Sequence, residues 1–308
     1  MSYHIISIDA ESSSITAEGG RLISQSPAGS HAIPMEDVAA IIITSFQCTL
    51  SSHFLIEAAK QRIGVILCEL YRPACIVLPI DRATDTELLR HLAHMPAQLR
   101  KRLWQKTVDA KCLNQYELAQ SWDPSHPALD KMQQVIHTSK ESKEGEVAKL
   151  YWSVFSDSHA HGSFSRNQRE EGINTLLNYA YAVLLSLVLR YLLALGLDPT
   201  FGIFHTPRAH ATPLAYDLME PFRPVFDANI ARWLSHRSDI SVTDSISLSK
   251  DAKRHILSTL LCNVRYQGKE MPLKLAVELS VRSFREAVLS SLVTPYEPWR
   301  ISIIKWAG

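Results

Sequence analysis

Cysteine is sparse in this chain of 308 residues: five are present, at 48, 68, 75, 112 and 262, and no two form a Cys-x-x-Cys pair. That excludes a disulfide framework and a zinc site of that spacing, and free thiols fit a reducing, cytoplasmic setting. Glycine numbers only 11 and proline 15, which excludes collagen-like and low-complexity chains. Neither sign of charge dominates. Lys+Arg total 32 against 31 Asp+Glu, so any nucleic-acid surface has to be a local patch. The opening Met1-Ser2-Tyr3-His4 lacks a basic segment followed by an apolar one, so no secretory leader is expected. The most apolar stretch, Ala180 to Leu197, is interrupted by Arg190 and is expected to be a buried helix, not a membrane span.

What is present is 46% hydrophobic and 20% charged, the balance of a folded chain long enough for two domains. The first eighty residues break into short β-prone runs: Tyr3 to Ile8, Arg21 to Ser24, Val38 to Ile43 and Val65 to Cys68. Gly19-Gly20 and Pro27-Ala28-Gly29 serve as turns. One helix interrupts them, opening at Ser51 or Ser52 and carrying Phe54, Leu55, Ala58 and Ala59. From Asp85 the apolar period changes to 3.6, as in Leu88, Leu89 and Leu92, then Leu99, Leu103 and Val108. The expected class is α+β: a small N-terminal β-sheet domain over 1–81, a hinge at Asp81-Arg82-Ala83-Thr84, and a larger all-helical domain over 82–308. An apolar run such as Val38 to Thr44 in so small a sheet is expected to need cover from a second copy of the chain.

Three separated segments carry groups capable of chemistry. Glu146 lies at the edge of the stripe Val147, Leu150, Tyr151 and Val154, where it reads equally as an exposed partner of Lys149. Ser153 to Asn167 reads as a loop. His205 stands in the irregular stretch Gly202 to Thr212, which ends in Thr212-Pro213 as N-cap and first helical residue. Asp217 and Glu220 share a helical face, and Pro221 breaks the helix beside them. Between Arg90 and Lys111 six basic residues, among them Arg100, Lys101 and Arg102, face a single acid, Asp109, as a duplex-binding surface or a solvated helix face would.

Taken together, Glu146 in Glu-x-x-x-x-Tyr-Trp, His205 in Gly-x-x-His and Glu220 in Leu-Ala-x-Asp-Leu-x-Glu-x-Phe-Arg-Pro resemble the adaptation integrase of CRISPR systems, the first-numbered Cas protein. Ile33-Pro34 ahead of Val38, Leu103-Trp104-Gln105 with Lys111 and Asn114-Gln115, and Asn174-x-x-Leu177-Asn178-Tyr179-x-Tyr181 extend the resemblance, which is nearest to members from type II systems. It implies a site for Mg²⁺ or Mn²⁺ on Glu146, His205 and Glu220, with Asp217 supporting. Arg166, Arg169, Asn178, Arg208 and Arg223 would reach DNA phosphates. The implied reaction is integration of a short DNA fragment into a CRISPR array by 3′-hydroxyl attack on a phosphodiester. The implied partners are DNA, a second copy of the chain, and the second-numbered Cas protein, a small dimeric adaptor, in a heterohexamer-type complex. A stand-alone nuclease for branched or repair DNA, a noncatalytic DNA-binding scaffold and a small-molecule metallohydrolase are the competing functions.

Overall fold

A computed structural model describes residues 4–10, 12–69, 71–80, 85–138, 143–160, 164–168, 172–206, 212–235, 248–301 and 304–306. The expected hinge at 81–84 lies outside them. The N-terminal part runs β1 (His4–Ile8), β2 (Ser14–Glu18), β3 (Arg21–Ser26), β4 (Gly29–Pro34), β5 (Val38–Ile43), β6 (Thr49–Leu50), α1 (Ser52–Lys60), β7 (Gly64–Glu69) and β8 (Arg72–Val77). Two four-stranded sheets result, ordered β1-β5-β7-β8 and β4-β3-β2-β6. In the first, β1, β5 and β7 are parallel and β8 returns antiparallel. Ser51 caps α1, its side chain accepting from the Phe54 N–H.

All six residues of β5 are buried, and the pleat explains how. Ile41 and Ile43 point into a core with Ile15, Leu22 and Phe54 from the second sheet and α1, whereas Ile42 and Ile66 point the other way, into the helical core. The apolar run Val38 to Thr44 therefore finds its cover inside its own chain, which corrects the expectation that a second copy must supply it. A strand reads as continuously apolar when both faces are covered, and the second cover here is a helix more than a hundred residues away.

That helix belongs to the series α2 (Thr86–Ala93), α3 (Ala97–Trp122), α4 (Ala128–Ile136), α5 (Lys143–His159) and α6 (Ile173–Ala194). α6 contacts β5 and is buried round almost its whole circumference. It is long and apolar enough to cross a membrane, yet 89% of its most apolar window is buried inside the fold. Leu195 ends it and Gly196 takes φ of 72°, while the Leu197 N–H returns to the Leu192 carbonyl at 2.9 Å, a glycine-terminated cap. Further on lie α7 (Pro213–Met219), α8 (Arg223–Ser235), α9 (Lys250–Ser258), β9 (Asn263–Tyr266), β10 (Lys269–Pro272), α10 (Leu273–Ser290) and β11 (Ile304–Lys305).

Two expectations need correction. Ser153 to Asn167 is not a loop throughout, because α5 continues to His159 and buries Val154, Phe155 and Ser156. The helical part also contains a three-stranded sheet, β10-β9-β11. Its hairpin turns at Gln267-Gly268, both with positive φ as a two-residue primed turn requires.

Candidate active site

Pro221 organises the site. Lacking an N–H, it cannot continue the helix, so α7 stops at Met219, a single 3-10 turn spans Glu220 to Phe222, and α8 restarts at Arg223. Asn114 of α3 staples this break, donating to the carbonyls of Pro221 (2.7 Å) and Trp299 (3.1 Å) and accepting from the Ile301 N–H (2.8 Å). One turn before the break, Asp217 is completely buried. Its carboxylate accepts the N–H groups of Ile203 (2.6 Å), Phe204 (3.1 Å) and His205 (3.1 Å) and lies 2.7 Å from His205 Nδ1. Asp217 thus folds the 202–206 loop around itself. Gly202 makes the close approach possible, since a Cβ there would collide with the His205 carbonyl and come within 2.8 Å of Pro213 and 3.1 Å of the Asp217 carboxylate.

Around Glu220 the charges alternate. Arg223 Nη2 lies 2.9 Å from Oε1, and the Lys111 ammonium lies 2.5 Å from Oε2. Lys111 also contacts Glu144 Oε1 at 2.6 Å, so one ammonium sits between two carboxylates. The Lys111 ammonium is the close cationic partner of Glu220 Oε2, a buried oxygen. Burial pushes the Glu220 carboxyl up, but Arg223 and Lys111 outweigh it and hold it down at about 2. Burial likewise pulls Lys111 and Arg223 down, and in both the neighbouring carboxylates win, raising them. The three groups are charged together. Glu144 gains further from its place in the first turn of α5, at the positive end of the helix dipole.

Lys111, Arg166, Asn178, Tyr181, His205, Glu220 and Arg223 line one cavity of about 580 Å³, with Glu69 and Arg72 at the β7–β8 turn forming a wall. Arg166 is preset by Asn174 Oδ1 (2.7 Å) and Asn178 Oδ1 (3.0 Å), while Asn178 Nδ2 donates to the Gln168 carbonyl. The Asn178 carboxamide thus holds Arg166 and the Gln168 carbonyl, with one further Nδ2 N–H at the cavity wall. Arg223 stacks over Tyr181, 4.5 Å from the ring centroid, and its Nε is buried without a hydrogen-bond partner. Beneath them Asp227 accepts the hydroxyls of Tyr151 (2.9 Å) and Tyr181 (2.7 Å). Burial raises Asp227 to about 6, the two tyrosine hydrogen bonds opposing this only in part.

The structure brings His205, Asp217, Glu220, Arg166, Asn178 and Arg223 together as the motifs suggest. It does not bring Glu146 to them. Residues two apart on a helix point about 200° from one another, and on α5 it is Glu144 that meets Lys111 and Glu220. Glu146 points away, 38% exposed in its side chain, 3.6 Å from Lys131 on α4. Lys111 is likewise not part of an outer basic face, being only 11% exposed in its side chain. Arg100 is half-buried and Lys101 and Arg102 are exposed on the first turns of α3, away from the cavity lining. Arg169 and Arg208 lie outside the described residues.

A divalent ion fits this donor set in charge and type: two carboxylates already share a cation, and an imidazole lines the same cavity as Glu220. Among the described residues no three such donors stand close enough to hold an ion as placed, and the Lys111 ammonium stands between the two carboxylates.

Residues 6–260 match the family model described as CRISPR associated protein Cas1. The chain belongs to the Cas1 family. A CRISPR-associated endonuclease Cas1 of Neisseria meningitidis serogroup C (strain 8013) is 28% identical over 275 residues, 87% of this chain and 86% of the relative. The same-named protein of Korarchaeum cryptofilum (strain OPF8) is 24% identical across 96% of this chain and 98% of its own length. Among solved structures, a casposase bound to integration product superposes with a TM-score of 0.76 at 22% identity, covering 98% of this chain and 96% of that one. A CAS1 protein from Thermotoga maritima does so with 0.75 at 16%, covering 93% and 97%. The Cas1 fold accounts for most of the chain.

Within this Cas1-family chain, Glu144 had a legible signal. Stepping back from Val154 by three to Tyr151, four to Val147 and three again leads to position 144, so the buried stripe itself extends to that carboxylate. Asp227 had none, because a buried carboxylate carries no mark of its partners, although those partners, Tyr151 and Tyr181, stand in the motifs that carry the resemblance.

Proposed function

We propose that this protein is a divalent-metal-dependent DNA integrase and endonuclease that inserts short DNA fragments into a CRISPR array. The observation that carries the reading is the paired carboxylates Glu144 and Glu220, closed around the Lys111 ammonium at 2.6 and 2.5 Å, with Lys111 and Glu220 lining a cavity walled by Arg72, Arg166 and Arg223. Acidic donors within a cationic rim suit a phosphodiester approaching a metal. The relatives named as Cas1 endonucleases and the casposase solved with its integration product support the same chemistry.

Glu144, Glu220 and, through its imidazole, His205 would hold Mg²⁺ or Mn²⁺. When bound, the ion supplies neutralisation of charge on the phosphoryl oxygens and alignment of the attacking and leaving oxygens. The chain's own residues do the rest. Asp217 fixes the His205 ring through Nδ1, so that the imidazole is oriented before substrate arrives. Arg223 and Arg166, preset by Glu220, Asn174 and Asn178, offer guanidinium donors to nonbridging oxygens. No side chain has to act as nucleophile: a DNA 3′-hydroxyl forms the new P–O ester as the old one breaks, and the hydroxyl proton ends on the departing oxygen. Ester count is conserved, so no external energy source is needed.

We further assign the chain a homodimeric state, a cytoplasmic setting and the small Cas adaptor as partner. A Cas6-RT-Cas1–Cas2 complex superposing with a TM-score of 0.79 over 97% of this chain and 36% of that one is consistent with that assembly. The test is a half-site strand-transfer assay on branched DNA in Mg²⁺ and Mn²⁺. Joining that disappears in Glu220→Gln supports the integrase. Cutting without joining would favour a stand-alone nuclease, and metal-independent binding without either would leave a scaffold.

A further inference from the structure

The loop that presents His205 to the cavity presents Phe204 to solvent. Phe204 is 56% exposed, unusual for an aromatic beside a site whose other rings are largely packed. One face of the ring is occupied: it stacks on Trp104 with centroids 4.3 Å apart and planes 3° from parallel. His205 meets both rings edge-on, at 5.9 Å from Trp104 and 5.5 Å from Phe204. The ring cannot retract without disturbing the site, because the Phe204 N–H is bound by Asp217, which also holds the N–H groups on either side. The fold therefore maintains an aromatic surface whose outer face has no ring partner among the described residues.

Its position is equally defined. Trp104 lies on α3 one turn after Arg100 and Lys101 and seven residues before Lys111, a spacing that returns to the same helix face about 10 Å along the axis. The platform thus stands between exposed cations and the Glu220 cavity, on the path of a strand whose phosphate enters that cavity. A flat apolar face beside a cationic cavity complements a nucleotide, which brings a π-face and a phosphate together. A base within an intact duplex has both faces occupied by its neighbours, so the fitting occupant is unpaired.

We propose that Phe204, backed by Trp104, is a stacking platform for one unpaired nucleobase of the DNA strand that enters the cavity. The proposal rests on the DNA-joining function above, and stacking of this kind is tolerant of base identity. It orients the strand next to the reacting phosphate.

The experiment is an abasic scan of a branched half-site DNA, one nucleotide at a time on each side of the joining point. Binding and joining are measured for the wild type, Phe204→Ala, Phe204→Leu and Phe204→Trp, with thermal midpoints as folding controls. In the wild type, one abasic position weakens binding about tenfold. Phe204→Ala weakens binding to intact DNA by a similar factor, shows no further loss at that position, and keeps the wild-type salt dependence because phosphate contacts are untouched. Phe204→Leu behaves as the alanine variant does while retaining bulk, and Phe204→Trp restores binding. Equal abasic losses in wild type and Phe204→Ala, or unchanged affinity of Phe204→Ala and Phe204→Leu for intact DNA, overturn the platform. So does intact DNA affinity with loss of dimer or adaptor assembly, which would make the face a protein contact. A wild type that neither binds nor joins the DNA overturns the underlying function instead.

Discussion

At the level of single residues, the site turns on which carboxylate of α5 faces inward. Glu144→Gln is expected to lower metal-dependent joining by about 10²-fold or more, whereas Glu146→Gln, on the opposite side of the helix, is expected to leave it near wild type. Parallel half-site assays check this, and the reverse outcome would return the role to Glu146. Lys111 supplies a second expectation. Lys111→Met leaves Glu144 and Glu220 facing one another without their shared cation, so the metal-free midpoint falls, in line with the about 3–5 kcal/mol for breaking a buried pair. Mn²⁺ should then raise the midpoint further in the variant than in the wild type, which differential scanning at several metal concentrations would read. Asp227 gives a pH signature. Its folded value of about 6 exceeds the ordinary carboxyl value, so the native state binds the extra proton and stability falls as pH rises from about 4 to 6. The loss approaches about 3 kcal/mol and stays constant above that window. Asp227→Asn lacks this titration. Its stability relative to wild type should improve from pH 4 to 7 and then level off, whereas a difference independent of pH would show that Asp227 titrates normally.

Among elements, those with strong period or punctuation were legible and those defined by distant partners were not. β5, β7, α1, the long α6 and the Thr212-Pro213 start of α7 announce themselves in apolar runs, caps and breakers. The strands β4 and β8 carry mixed or exposed residues with no period to mark them, and pairing with β3 and β7 is what defines them, whereas β2 alternates polar and apolar residues with Ile15 and Ala17 buried, over only five positions. The site was legible in the same measure. Pro221 signalled the break that presents Glu220, and the buried stripe of α5 leads on to Glu144, but nothing in either segment tells that Lys111 stands between the two carboxylates. The 202–206 loop shows how a weak signal hides a strict requirement, for Gly202 has an ordinary negative φ and is needed for space alone. Gly202→Ala should cost about 1–3 kcal/mol through overpacking and should impair joining beyond that loss, since the Asp217 hydrogen bonds that position His205 are strained first. Full joining by a folded Gly202→Ala protein would mean that the loop yields without moving the imidazole.

Across the whole molecule, the packing of β5 changes what dimerisation has to explain. Both its faces are covered within the chain, so a second copy is not required to hide apolar surface. What stays open is an edge. β4 borders its sheet with Gly29, Ser30, His31 and Ala32 all exposed, and an unpaired edge is a template for another strand. Pairing β4 with β4 of a second copy about a twofold axis would join the sheets and set two cavities at a fixed separation, as insertion of both ends of one fragment requires. Light scattering at micromolar concentration should therefore give about twice the 34.6 kDa chain mass. Lysines at Ser30 and Ala32, which would face like charges across that axis, should return the mass to that of one chain and remove two-ended integration while leaving half-site joining in place. A charged-edge variant that remains dimeric would move the interface elsewhere, and a wild-type monomer that inserts both ends in register would show that the spacing of the two reactions is set by the adaptor or the DNA and not by this chain.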